Sequence, residues 1–508
     1  MARRVAAAAP VGVRMAAHRV VVVGGGIAGC AAAEEAARLG LPVTLIDEHP
    51  QGRQAMSFDA PYFYGARLDA VPADARANGP PRGQAGERLA SCRDHGVEVL
   101  TGTCCWGNFV PGPNTTNLAN ATLGVADATR SWLIDYDHLI LAPGGRDLVL
   151  SFPGWQRPGV LGANGADALL GRYGALAGRR MVILGSGNVA LRTARLALDH
   201  GVAVATLIEV SPAVRGDAPD AAALAKAGVP ILLTHTVERV IGDDAVHAIR
   251  VVAVDGEGRP AASSAHEIAC DTVCMAFGVV PNVELAAVAG CRVVFDGARG
   301  GWVPELDTDS RSIIPSIFVV GDGAGTSEAA RRDPAIAAAQ GRRAARAIAR
   351  DRGRMSGAAE PVPVPVDREP VLSYARTWLN ALGMAGGLDV MVCPCENVTR
   401  RQVLDAVRTG GHPSQDLLKR RTRVGAGVCQ GKRCRDQTLL LLAEAHGVDP
   451  AAMSPGSYRA PVRPIPLSVM AALEETEAAR QAWPIWLHPV EDGAPGYASA
   501  PPGEDDRA

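Results

Sequence analysis

The chain has 508 residues, too many for one hydrophobic core, so two or three domains are expected. Its content is 47% hydrophobic but only 4% aromatic, which predicts aliphatic cores. The formal charge of −2 leaves no electrostatic footprint for nucleic acid, and no apolar run reaches the ~18 residues of a membrane span.

The leader, residues 1–17, holds Arg3, Arg4 and a run of alanines, too weakly apolar for a signal peptide. It reads as a disordered leader, or as an over-extended start with Met15 as initiator. Of eleven cysteines, seven are scattered and four are clustered late. That is no secreted disulfide framework, and a reducing cytoplasm is expected.

Residues 19–48 hold a valine strand, the fingerprint Gly24-x-Gly26-x-x-Gly29, an alanine-rich helix and a second strand ending at Asp47-Glu48. Each part has a mechanical role. Gly24 permits the tight turn, Gly26 lets the backbone approach a pyrophosphate, and Gly29 lets helix pack on strand. The helix N-terminus offers amides and partial positive charge to phosphates. Asp47 is placed to accept hydrogen bonds from a ribose. Two later strands, Leu139 to Gly145 with Gly144 near its end and Ile317 to Gly325 with Gly321 and Asp322, favour FAD in this fold. They look like the return strands of two-dinucleotide flavoproteins, in which Asp322 would bond the ribityl chain.

Residues 181–209 repeat the pattern with Gly185, Gly187 and, at the strand end, Glu209. An acid there suits the 2′-hydroxyl of NAD and disfavours the phosphate of NADP. NAD is therefore a candidate cofactor here, and a scaffold whose site holds another nucleotide or none is the alternative. Strand–helix alternation predicts an α/β fold with parallel sheets. The motif order resembles the glutathione-reductase structural family, which implies an FAD domain (18–160 and 291–350) split by an NAD-like domain (161–290). The redox disulfide of that family has no counterpart here, since no CxxxxC follows Asp47.

Residues 351–385 are expected to form a linker, on the strength of the run PVPVPV. A small helical domain, 386–446, follows, and then a C-terminal tail, 447–508. The small domain carries Cys393-x-Cys395 and, after thirty-three intervening residues, Cys429-x4-Cys434. Thr399 is placed to cap a helix ending at Gly410-Gly411, and a second helix is expected from Ser414 to Arg421. Two cysteine pairs brought together by short helices make a metal cage. Zinc competes for such a set, but Cys-x-Cys is a poor zinc knuckle, and four thiolates suit a [2Fe–2S] cluster. Lys419, Arg420, Arg421, Arg423, Lys432, Arg433 and Arg435 surround the cage. They read as a solvated face or as a docking surface for an acidic redox partner.

The cysteine segment, with Thr422-Arg423 and Gln430-Gly431, resembles the bacterioferritin-associated-ferredoxin-like [2Fe–2S] domain. Asp47-Glu48-His49-Pro50, Phe152-Pro153-Gly154-Trp155 to Pro158-Gly159-Val160, and Arg463-Pro464-Ile465-Pro466-Leu467 add signatures. Together they resemble the FAD-binding alpha subunits of opine oxidases, hydrogen cyanide synthase and D-hydroxyproline dehydrogenase. Departures include Gly52-Arg53-Gln54 for Gly-Gly-Gln and Asn188 for a proline. The resemblance implies electron transfer within a hetero-oligomer that oxidises C–N bonds. It also implies a D-amino-acid-oxidase-like beta subunit, with a small ferredoxin-like subunit as a further candidate. Placement would be cytoplasmic, or at a membrane through partners. The alternative is a self-sufficient NADH-dependent reductase.

Overall fold

The computed structural model describes residues 19–49, 84–112, 120–357, 362, 370–408, 414–471 and 473. The leader, Gly52-Arg53-Gln54, Gly410-Gly411 and the end of the tail lie outside these residues.

The valine strand Val20–Val23 is wholly buried and forms the centre of a five-stranded parallel sheet. Its neighbours are Val43–Asp47 and His138–Leu141, with Glu98–Thr101 and Ile317–Val319 at the edges. Continuous apolar strands of this kind need helices on both faces. Ile27–Arg38 packs on one face against Pro334–Asp351, close enough that a Cβ on Gly341 would stand 2.0 Å from the Ala28 carbonyl oxygen. A three-stranded antiparallel meander, Cys104–Phe109, Thr122–Ala126 and Ser131–Asp135, fills the connection to the third core strand.

The chain leaves this domain through Gly145–Asp147 and returns through Val279–Pro281, two short strands paired antiparallel. The crossovers therefore lie upstream of the expected boundaries at 161 and 290. Phe152 and Trp155 already belong to the core of the inserted domain, while Leu285 and Ala286 belong to that of the first. The inserted domain has its own five-stranded parallel sheet, centred on Arg180–Leu184, and an antiparallel sheet of three strands.

The linker expected over 351–385 requires correction. Residues Val371–Gly386 form a helix, with Leu372, Tyr374, Ala375, Trp378, Leu379 and Leu382 buried. Their spacing makes one apolar face, which the neighbouring prolines mask in a reading by composition. Trp378 is fully buried, its ring centroid 5.0 Å from that of Phe277 in the inserted domain.

This helix leads into the cysteine domain, a hairpin (Met391–Cys393, Val398–Thr399) and helices Arg400–Arg408, Gln415–Thr422 and Arg435–His446. Thr399 caps its helix as expected and does so in a capping box with Gln402, and Ser414 caps the next helix. One continuous core runs from Phe152 and Val237 of the inserted domain through Trp378 to Cys393, Val403 and Leu440. Polar ties reinforce it. The Trp155 indole donates to the Met391 carbonyl oxygen at 2.6 Å, and Gln437 accepts from the Ser151 amide at 3.0 Å. The cysteine domain is thus built onto the inserted domain.

The segment after the helix Arg435–His446 turns back to the first domain. The Val462 amide donates to the Trp106 carbonyl oxygen at 2.7 Å, and Val469 packs with Cys104 and Trp106.

Candidate functional site: a nucleotide cavity walled by the cysteine loop

The first fingerprint behaves as its glycines require. Gly24 has φ +107°, and a Cβ there would lie 2.1 Å from the Ala142 carbonyl oxygen. At Gly29 a Cβ would lie 1.8 Å from the Gly24 carbonyl oxygen. Gly26 is different, since a Cβ there would meet nothing within 4 Å, because the residue borders a cavity. Close approach at two glycines and open space at the third is the cradle a pyrophosphate needs.

That cavity, of about 600 Å³, begins at Gly24 to Gly26 and passes Asp47, Glu48 and Gly144. Lys432, Arg433, Val462 and Arg463 also line it. Lys432 and Arg433 lie between Cys429 and Cys434, so the loop that carries half the thiols is also a wall of the nucleotide cavity. Sequence reasoning assigned both cations to an outer face. Lys432 is instead only partly exposed and lines the cavity, and desolvation there pushes its pKa down to about 8 despite Glu284 beside it. Arg435 also faces inward, stacked 3.9 Å over the Tyr458 ring and donating to the Gly456 carbonyl oxygen. Arg420, Arg421 and Arg423 remain exposed.

Charges around the cavity are paired. Glu48 bonds Arg463 at 2.6 Å. Burial works to raise the Glu48 pKa, but Arg463, His49 and Lys432 outweigh it and hold the carboxyl below its usual range. Arg146 reaches Asp436 at 2.9 Å and Glu284 at 3.4 Å, joining the crossover strand to the first turn after Cys434. Nothing in the local sequence marks Arg146 or Glu284 as site residues. Only Arg463 carried a signal, through its tail motif.

Asp47 is 6% exposed, and its Oδ2 accepts from the Gly25 amide at 2.5 Å. Its Oδ1 accepts from the His49 amide at 2.8 Å. It thus fixes the fingerprint turn as well as lining the cavity. Gly321 and Asp322 do not line it. The Gly321 amide donates to Gln340, and Asp322 is ion-paired with Arg331 at 2.6 Å.

Asp147, on the crossover strand, also walls the cavity and accepts from the amides of Asn164 and Gly165 at 2.8 and 3.3 Å. Burial outweighs these bonds and pushes its pKa up to about 6. A carboxyl raised in the fold favours folding while it is protonated, and that contribution is lost as pH rises from about 4 to about 6. Asp147→Asn should therefore flatten the stability–pH curve across this window, gaining up to about 3 kcal/mol at pH 7 relative to wild type. Denaturant melts at pH 4 and pH 7 measure it, and an unchanged pH difference would contradict the raised pKa.

The four late cysteines meet as two pairs. Cys434 hydrogen-bonds Cys393, and this bond leads the causes that bring the Cys393 thiol down to about 6. Cys395 likewise bonds Cys429, whose thiol falls to about 5 with help from the amides of Arg433 and Gly431. Their partners Cys395 and Cys434 are pushed up. Among the described residues no three metal-binding side chains converge on one point. A two-iron cluster takes its thiolates two to each iron, which the pairs Cys393–Cys434 and Cys395–Cys429 allow. Gly427 lets the two halves close, since a Cβ there would stand 2.4 Å from the Cys395 Cβ. The residues present therefore fit a [2Fe–2S] centre.

The second fingerprint lies apart from this cavity. Gly185 has φ +110° and Gly187 caps the helix Asn188–Asp199, as expected. Glu209 is fully buried and accepts from the Ser186 amide at 3.0 Å, the Ser186 hydroxyl at 2.6 Å and the Tyr374 hydroxyl at 2.6 Å.

Residues 18–344 match the pyridine nucleotide-disulphide oxidoreductase family, and residues 391–444 match the BFD-like [2Fe-2S] binding domain. The chain is 27% identical to an opine oxidase subunit from Agrobacterium tumefaciens (strain Ach5), over 92% of this chain and 93% of that one. It is 28% identical to the hydrogen cyanide synthase subunit HcnB of Pseudomonas aeruginosa, over 89% and 97%. The fold is shared with the L-proline dehydrogenase of P. horikoshii, at a TM-score of 0.61 and 19% identity, over 89% of this chain and 80% of that one. FAD and a [2Fe–2S] cluster are the cofactors implied, and NAD at the second fold fits the family. No helix among the described residues is long and apolar enough to cross a membrane. With both matched regions seated on the two halves of one cavity, the chain belongs to the pyridine nucleotide-disulphide oxidoreductase family and is an FAD-dependent oxidoreductase with an appended [2Fe–2S] domain.

Proposed function

We propose that this chain is the electron-transfer subunit of a multi-subunit enzyme that oxidises C–N bonds of opines, amino acids or imino acids. The observation that carries the reading is the single cavity running from Gly26 to the loop between Cys429 and Cys434. When bound, FAD supplies two-electron chemistry and the cluster supplies single-electron steps.

The residues of the chain hold and orient these groups. Gly24, Gly26 and Gly29 admit the phosphates, and Asp47 fixes the turn that presents the amides. Lys432 and Arg463 place positive charge at the cavity wall nearest the thiols, where electrons collect on reduction. Arg146 fixes the cluster helix to the crossover strand, so the two centres keep one separation.

The similarity to opine oxidase and hydrogen cyanide synthase subunits supports a partner chain that carries substrate chemistry. The partner proposed is a D-amino-acid-oxidase-like beta subunit, with a small ferredoxin-like subunit as a further member, and the assembly is proposed to be cytoplasmic. Purified alone with FAD and cluster, the chain should not reduce an artificial acceptor with any opine, amino acid or imino acid. Co-expression with an adjacent oxidase-like gene product should yield a co-purifying complex in which dye reduction appears. Robust turnover by the isolated chain would overturn the subunit reading in favour of a self-sufficient reductase.

A further inference from the structure

The two dinucleotide folds use the same internal device and then diverge. In the first, the middle fingerprint residue Gly25 donates its amide to Asp47 Oδ2, and the residue two beyond the acid donates to Oδ1. In the second, the Ser186 amide donates to Glu209 Oε2, and the Ser211 amide donates to Oε1 at 2.8 Å. The bond from acid to fingerprint is therefore common to both and excludes nothing. Asp47 nevertheless borders a cavity, while Glu209 has no exposed surface.

The difference is Tyr374. Its hydroxyl donates to Glu209 Oε2 at 2.6 Å and lies 3.4 Å from the Ser186 nitrogen. A hydroxyl on that carboxylate is what a nucleotide ribose would supply. Burial, reinforced by the Glu209 charge, drives the Tyr374 pKa far up, so the phenol stays a donor. The loop after the strand closes over the same place. Arg215 and Gly216 donate their amides to the Ser186 hydroxyl and carbonyl at 3.0 and 2.8 Å, and Asp217 donates to Asn188 at 2.9 Å. The Arg215 guanidinium then lies over the Tyr374 ring, 5.4 Å from its centroid.

We infer that the ribose position of the second dinucleotide fold is closed to NAD by its own chain, with Tyr374 in the place of the ribose hydroxyl, while the glycine turn at Gly187 is as open as that at Gly26. The task of this fold is to carry the cysteine domain. Tyr374 belongs to the helix Val371–Gly386, whose other buried side chains join the inserted domain and the cysteine domain in one core. The same helix thus fills the ribose position and mounts the cluster. This goes beyond the electron-transfer reading, and it leaves reduction of the flavin to a donor other than a pyridine nucleotide.

The test uses the full chain with FAD and cluster loaded, whose contents, measured in the same samples, report separately on the electron-transfer reading. Under anaerobic conditions, millimolar NADH should leave the flavin absorbance unchanged over minutes, while dithionite bleaches it. NAD⁺ should give no saturation-transfer NMR signal that NADH displaces. Tyr374→Phe, in the absence of any nucleotide, should lower Tm by roughly 2–4 °C, because Glu209 loses a buried donor. A hydroxyl facing an open site would leave Tm where it was. Flavin bleaching by NADH, a displaceable NAD⁺ signal or an unchanged Tm would each overturn the inference. Should the variant fail to fold, the two measurements on the wild-type chain still decide it.

Discussion

Cys429→Ser is expected to abolish the visible absorption of the iron–sulfur centre and to leave the flavin bands in place. The thiol is one of the two whose pKa falls well below that of free cysteine, and the amides of Gly431 and Arg433 point at its sulfur. A serine oxygen there is a poor ligand for iron, so cluster content should fall below about a tenth of wild type. The thermal response carries the sharper expectation. If the cysteine domain were a separate unit beyond a linker, two melting transitions would result, and only one would respond to the substitution. The continuous core through Phe152, Trp378, Cys393 and Leu440 calls instead for one cooperative transition. Because the binding energy of a metal centre is also folding energy, that transition should drop by roughly 5–10 °C. Calorimetry with parallel iron, sulfide and zinc analysis decides between the cases. Zinc in place of iron and sulfide would end the electron-relay reading, and two independent transitions would refute the shared core.

What could be read in the sequence was local and periodic. Both fingerprints, the return strands and the four cysteines are patterns in which residues a few positions apart share one mechanical task, and the structure has each in its expected element. The helix cap at Thr399 was legible for the same reason, though its partner Gln402 was not named. Contacts between distant segments were not. Tyr374 meets Glu209 across 165 positions, and nothing in either neighbourhood announces the pairing. The helix that carries Tyr374 was hidden by composition, since the proline run ahead of it extended a linker reading past Val371. Lys432 and Arg435 were read as surface because charge runs usually are, whereas cavity lining and ring stacking turn them inward. The pairing of Asp322 with Arg331, nine positions along the chain, is likewise a contact that the return-strand motif does not announce.

Gly26→Val should empty the flavin site while leaving the protein folded. Three glycines form the fingerprint, and the structure separates their tasks. A side chain at Gly24 would collide with the Ala142 carbonyl and would also have to adopt φ +107°. One at Gly29 would collide with the backbone of Gly24, so either substitution should prevent folding of the first domain. Gly26 has φ −75°, which any residue adopts, and its absent Cβ points into open cavity. Valine there costs the fold only a weaker helix cap, at most about 1 kcal/mol. Its two methyl groups, however, stand where the pyrophosphate must approach the backbone. Overpacking a tight contact of this kind costs roughly 3 kcal/mol, or about a hundredfold in affinity for FAD. Gly26→Ala should give a smaller loss, on the order of tenfold, because one methyl can be partly accommodated. The expected ranking is thus a soluble, cluster-containing, flavin-poor protein for Gly26→Val, against insoluble protein for Gly24→Val. Flavin released by acid and quantified against protein and iron gives the measurement. Full flavin occupancy in soluble Gly26→Val would show that the cofactor's phosphates lie elsewhere, and the assignment of the first fold would then be wrong.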